Sequence, residues 1–184
     1  MGSSERRKPS LLLTIVLCLA LIGLDKITKI LAVNVLMPVG VIPAISGVFE
    51  WKYIENTGAA FGLLSGRQPF LIVVTGVALL AVALLLLFRR PKDKLEYISI
   101  ILIFSGGVGN LLDRIAQGYV VDFINLLFIN FAVFNLADIF VTVGFVLLVI
   151  AVFRSESRKK KQEETAGEQP EKASPPATDS DESN

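Results

Sequence analysis

Two aspartates lie in stretches so apolar that a charge there demands a reason. Asp122 sits in Val120-Val121-Asp122-Phe123-Ile124, and Asp138 lies close to the start of residues 134–153, a run that otherwise reads as a membrane span. An ionisable group at membrane depth is expensive and by default marks a working site. The chain contains no histidine, so acid–base chemistry near neutral pH falls to carboxylates, a lysine or a tyrosine. Two carboxylates brought together cannot both ionise cheaply: they share a proton, one pKa rising as the other falls. Such a dyad takes a proton from water with one member and gives one to a leaving amine with the other, which is peptide hydrolysis without a covalent intermediate. The segment between Asp122 and Asp138 is long enough to fold back and bring them together.

Other polar residues gather around these two. Asp25 and Lys29 share a helix face by their i, i+4 spacing and can pair. Asn110, Asp113 and Arg114 present an amide, a carboxylate and a guanidinium on one face by i+3 and i+4 spacing, and Asn135 shares a face with Asp138. Asn56 follows a strand-like segment. Each also has a plainer reading. Asp25 and Lys29 can be an ion pair anchoring a helix end, Asp113 and Arg114 a local charge pair or cap, and Gly106, Gly107 and Gly109 a tight helix contact or a close approach of extended backbone. Asp138 has no such escape, because no basic residue lies near it in sequence.

The elements that must position these residues are membrane spans. The 184-residue chain is 53% hydrophobic, with a mean hydropathy of +0.63, above what a soluble domain carries. Spans are expected at about 11–31, 70–88, 95–112 and 134–153, each reaching roughly 30 Å at about 1.5 Å per residue. Basic residues cluster before the first (Arg6, Arg7, Lys8), between the second and third (Arg89, Arg90, Lys92, Lys94) and after the fourth (Arg154, Arg158, Lys159, Lys160, Lys161). A four-span chain puts all three clusters on one side, which the positive-inside rule makes the cytoplasm. The fold class is therefore a polytopic α-helical membrane protein with four transmembrane helices, N-in and C-in. No small-x-small cleavage pattern follows before Asp25, so the first run reads as an uncleaved span. The single cysteine, Cys18, lies inside that span, which rules out a disulfide framework or a cysteine metal site.

The outer segments are about 34–69 and 115–133. In the first, Phe49-Glu50-Trp51-Lys52-Tyr53-Ile54-Glu55 alternates aromatics with charges, a strand signal with one apolar and one polar face. It predicts a small β-rich extracytoplasmic platform, with Trp51 and Tyr53 at the membrane interface. Residues 1–10 form a cytoplasmic N-terminus and 11–153 a single membrane domain. The Lys-, Glu-, Ser- and Pro-rich residues 154–184 form a disordered cytoplasmic tail.

The segments Asp25-Lys26-Ile27-Thr28-Lys29, Asn56-Thr57-Gly58-Ala59-Ala60-Phe61-Gly62, Gly106-Gly107-Val108-Gly109-Asn110-Leu111-Leu112-Asp113-Arg114, Val121-Asp122-Phe123 and Phe134-Asn135-Leu136-Ala137-Asp138 together resemble bacterial lipoprotein signal peptidase (signal peptidase II). The resemblance covers about 11–153, in the family's order; the tail lies outside it. It implies an aspartyl endopeptidase of the bacterial cytoplasmic membrane with its active site at the extracytoplasmic face. Such an enzyme removes signal peptides from diacylated prolipoproteins, cutting before the diacylglyceryl-modified cysteine. The dyad motifs fall on Asp122 and Asp138. Substrate- and inhibitor-contacting positions fall on Asn56, Asn110, Arg114 and Asn135, with Asp113, Asp25 and Lys29 supporting. The implied partners are prolipoproteins, membrane lipid and inhibitors of the globomycin type, with no nucleic acid, no cofactor and no metal, and the protein acting as a monomer. A proton-coupled transporter or channel subunit using Asp138 as relay is the rival from another class. A scaffold whose charges only anchor helix ends leaves Asp138 unexplained. A Ser–Lys peptidase lacks a serine beside a buried lysine, since Ser46 and Ser65 have turn-like neighbours.

Overall fold

The computed structural model describes residues 9–59, 63–89, 91 and 93–167, with side chains to 160. Ala60, Phe61 and Gly62 of the second motif, the basic residues 6–8, Arg90 and Lys92, and tail residues 168–184 lie outside the described residues. Contacts divide the chain into two compact units, Met1–Ala151 and Val152–Asn184.

Among the described residues four helices are long and apolar enough to cross a membrane: α1 (Leu11–Leu36), α2 (Gln68–Phe88), α3 (Lys94–Gln117) and α4 (Leu136–Gly167). Their starts follow local rules. Ser10 caps α1 by accepting the Leu13 N–H at 3.1 Å, α2 carries a proline in its first turn, and the Asp93 carboxylate accepts the Leu95 N–H at 2.9 Å to cap α3. Gly118 ends α3 in the left-handed region, φ 80°, with its N–H on the Arg114 carbonyl. Large apolar side chains such as Leu12 and Phe88 stand exposed along these helices, as a lipid solvent requires.

Helices α1, α3 and α4 run past the ends expected at residues 31, 112 and 153. In α3 the expected end stands just before Asp113, which is buried against Lys26 and Lys29, and the helix continues through it. In the second unit α4 stays helical to Gly167, where Lys, Arg and Glu are good helix formers.

Helix α3 is the hub, and its glycines show why. A Cβ on Gly106 would strike the Ala137 carbonyl of α4, one on Gly107 the Leu79 side chain of α2, and one on Gly109 the Asp25 carboxylate of α1. Three glycines thus let three helices approach three sides of one. On α4, Gly144 repeats the device against the Ser99 carbonyl and the Ile103 N–H. The glycine run is a packing device.

The platform is a three-stranded antiparallel sheet in the order β1 (Val41–Ile45), β2 (Phe49–Asn56), β3 (Val120–Leu126). It rests on the end of α1, where Ala32 and Leu36 pack with Val121 and Phe123, and Tyr53 joins them. The alternation expected of β2 is broken by a register shift between Trp51 and Ile54. Trp51 meets Phe49 edge-on at 5.1 Å and Phe123 at 6.2 Å, and Tyr53 packs against the α1 end.

Candidate active site

Asp122 is 2% exposed and lies on β3, a strand buried over its first four residues. Its Oδ1 accepts from Asn135 Nδ2 at 2.6 Å and its Oδ2 from Asn56 Nδ2 at 2.8 Å. Asn56 reaches it because Ile54, two residues earlier on β2, pairs directly with Asp122, leaving Asn56 as the diagonal neighbour on that face. The Asn56 Oδ1 meanwhile accepts the Gly58 N–H at 2.9 Å.

Asp138 opens α4 from the third helical position. Its backbone N–H donates to Asn135 Oδ1 at 3.1 Å, and its Oδ2 accepts the Asn135 N–H at 3.1 Å. This reciprocal pair is a capping box with asparagine in the cap position. Two orphan donors are satisfied, and the carboxylate is held by the fold of its own helix start. Its Oδ1 accepts from Asn110 Nδ2 at 2.8 Å.

The two aspartates come together because the chain between them doubles back. The Phe123 and Ile124 N–H groups donate to the Phe134 carbonyl at 3.0 and 2.8 Å, and the Phe134 N–H returns to the Ile124 carbonyl at 3.0 Å. That bridge sets Asn135 between the aspartates, with its side chain on Asp122 and its cap on Asp138. Both carboxylates line one cavity of about 430 Å³, together with Asn56, Asn110 and Arg114. The remaining wall includes Leu126, Ile129, Phe131, Ile139 and Val143. It is a largely apolar chamber with few convergent polar groups, the usual make-up of a ligand site.

Burial is the main force on Asp122, pushing its pKa up to about 6 from 3.8. The Asn56 and Asn135 hydrogen bonds oppose this, and the Asp138 charge adds to it. A carboxyl poised there can hold a proton at working pH and release it.

Behind the cavity lies a second polar group. Lys29 Nζ stands 2.8 Å from Asp25 Oδ2, 2.8 Å from Asp113 Oδ2 and 2.8 Å from Asn110 Oδ1. Asp25, Lys29 and Asp113 are each 1% exposed. Asp25 Oδ1 accepts the Ala137 N–H at 3.0 Å, so α1 caps the start of α4. The Asp25–Lys29 pair expected from spacing is present, embedded within α1 and not at a helix end. Asp113 pairs with Lys26 at 2.8 Å and with Lys29, away from its sequence neighbour. Arg114 instead donates to the Gly58 carbonyl at 2.9 Å and to the Asn110 carbonyl at 3.3 Å. The shared face of α3 therefore splits, one part turning to α1 and the other to the loop after β2.

All nine residues singled out from sequence belong to this connected group. Missed were Lys26, an interfacial-looking lysine whose partner is distant in sequence, and the apolar wall from Leu126 to Val133, which carries no motif.

Four span-length helices, with a carboxylate-lined cavity between α3, α4 and the sheet, define the class, a polytopic membrane protein. The family model described as "Signal peptidase (SPase) II" matches residues 17–154. The chain is 45% identical over 151 residues to the lipoprotein signal peptidase of Clostridioides difficile (strain 630), covering 81% of this chain and 100% of that one. It is 42% identical over 139 residues to that of Streptococcus thermophilus (strain CNRZ 1066), covering 76% of this chain and 91% of that one. Two solved bacterial membrane enzymes, determined by the in meso method at 2.3 and 1.9 Å, share the fold with TM-scores of 0.74 and 0.70. They are 26% and 29% identical, covering 92% and 80% of this chain and 99% and 97% of theirs. The chain belongs to the signal peptidase II family, the membrane-embedded proteases of the bacterial inner membrane.

Proposed function

We propose that Asp122 and Asp138 form the catalytic dyad with which this protein removes signal peptides from prolipoproteins. The observation that carries the assignment is their convergence on one cavity, each held by Asn135 and each backed by a second asparagine. One carboxylate takes a proton from the attacking water while the other, protonated, donates to the departing amine, and the proton returns to the pair in each cycle. Asn56, Asn110, Arg114 and Asn135 orient the carboxylates and meet substrate carbonyls that lipid would leave unpaired. Asp25, Lys29 and Asp113 support them from behind.

The substrate is a membrane object, a signal helix with two acyl chains, cut immediately before the diacylglyceryl-modified cysteine. The apolar wall suits such a ligand, and so does the position of the polar groups next to the sheet. The site faces the extracytoplasmic side, both termini are cytoplasmic, and the chain acts as a monomer, without nucleic acid and open to inhibitors of the globomycin type. A proton relay through Asp138 is not favoured: the polar groups collect at one end of the bundle, and the family is one of proteases.

The test is cleavage of a purified diacylated precursor by the wild type and by Asp122→Asn and Asp138→Asn. Both variants should stay folded, as judged by thermal unfolding, and lose cleavage. Near-normal processing by either would overturn the dyad.

A further inference from the structure

Lys29 reaches neither aspartate of the proposed dyad, yet the hydrogen bonds around it dictate how both are held. Resting on the dyad reading, we propose that Lys29 is a positioning residue that fixes the direction of the Asn110 and Asn135 amides, and through them keeps N–H donors aimed at Asp122 and Asp138.

An ammonium has three N–H donors and no acceptor. Lys29 donates to Asn110 Oδ1 at 2.8 Å and lies 2.8 Å from Asp25 Oδ2 and from Asp113 Oδ2, the last an ion pair without hydrogen-bond geometry. It is 1% exposed, so water offers no substitute. Two carboxylates fix the cation in place, and only the Asn110 contact looks towards the cavity. Because that contact demands an acceptor, Asn110 must turn its oxygen to Lys29. Its NH2 then has one direction left, onto Asp138 Oδ1 at 2.8 Å.

The constraint passes on. Asn110 Oδ1 also accepts from Asn135 Nδ2 at 3.2 Å, and that same nitrogen donates to Asp122 Oδ1 at 2.6 Å. The Asn135 oxygen is left for the Asp138 N–H at 3.1 Å. A reversed Asn110 would aim its NH2 at an ammonium and its oxygen at a carboxylate, two repulsive contacts in a buried site. One cation therefore sets the polarity of two amides. Lys26 cannot do this work, since its side chain is half exposed and its ammonium pairs with the Asp113 carboxylate.

A double-mutant cycle on cleavage of a diacylated precursor separates this role from general support. Lys29→Met and Asn110→Ala should each lower kcat by ~100-fold or more with KM within a few-fold, and the double variant should be no slower than the worse single. Lys29→Met with Asp113→Asn removes one charge of each sign, keeps the cycle readable where the single variant folds poorly, and should show the same loss. Multiplying losses in the double variant would overturn the proposal, because Lys29 would then act apart from Asn110. A kcat near wild type in a Lys29 variant with a lowered melting temperature would overturn it too, leaving a purely structural lysine. Failure of the dyad itself is read separately, from cleavage by Asp122→Asn or Asp138→Asn with Lys29 in place.

Discussion

A carboxylate pushed up to about 6 chiefly by burial, as Asp122 is, has consequences at two pH-dependent readouts. Asp138 lies beside it, and the negative charge there adds to the upward push on Asp122. If the singly protonated dyad is the working form, kcat/KM for a lipidated precursor should be level just below about pH 6 and fall up to tenfold per unit above it. A rate that instead climbs through that region would mean Asp122 works ionised. The sign for stability is the same. A raised carboxylate contributes stability that is present below 3.8 and lost as pH rises through about 6, up to about 3 kcal/mol. Melting of the free enzyme at about pH 4 and about pH 7 checks it. Arg114 makes a different residue-scale contribution, since its bond to the Gly58 carbonyl ties the loop after β2 to the cavity. Replacing it with lysine, which lacks the planar fork, should lower kcat/KM by ~10-fold or more with little change in melting temperature. These residues were legible from type and placement, because a charge in an apolar run has few bland explanations. Their partners were less so: Asp113 and Arg114 are adjacent in sequence, yet one turns to α1 and the other to the loop after β2.

Among elements, α3 carries the packing burden, and its glycines make a graded prediction. At Gly106 an added methyl meets the Ala137 backbone carbonyl, which cannot move without moving the start of α4 and Asp138 with it. At Gly107 it meets the end of the Leu79 side chain, which can rotate away. Gly106→Ala should therefore destabilise by about 1–3 kcal/mol and depress cleavage, while Gly107→Ala should be milder in both. Gly109→Ala should resemble the first, because it displaces the Asp25 carboxylate from Lys29 and from the Ala137 N–H. Melting temperature and kcat for the three variants would rank them, and equal effects at Gly106 and Gly107 would refute the assignment. Hydropathy alone located all four helices, since a lipid solvent leaves few other ways to satisfy a long apolar segment. Their ends were harder to read. Asp113 looks like a boundary marker along the chain, yet it is buried against Lys26 and Lys29 of α1, and α3 continues past it. The bulge in β2 was hidden for a related reason: alternation is a local pattern, while the register is set by which β3 residue lies opposite.

For the molecule as a whole, asymmetry is the governing feature. The connected polar group gathers where the sheet meets α1, α3 and α4, whereas the basic residues cluster near the segments that join or follow the other helix ends. Positive charge resists translocation, so the sheet and the cavity should face away from the cytoplasm. A hydrolase needs water at its carboxylates and lipid beside them for a diacylated substrate, and an outward-facing site at the membrane boundary supplies both. A cysteine at Ser46, exposed in the turn between β1 and β2, should react with a membrane-impermeant maleimide in intact cells of a host with no outer membrane. One at Ser155, exposed on α4 beyond Ala151, should react only after the membrane is permeabilised. Native Cys18 is buried in α1 and should stay silent in both conditions, making it an internal control. The reverse labelling would place the dyad on the cytoplasmic side.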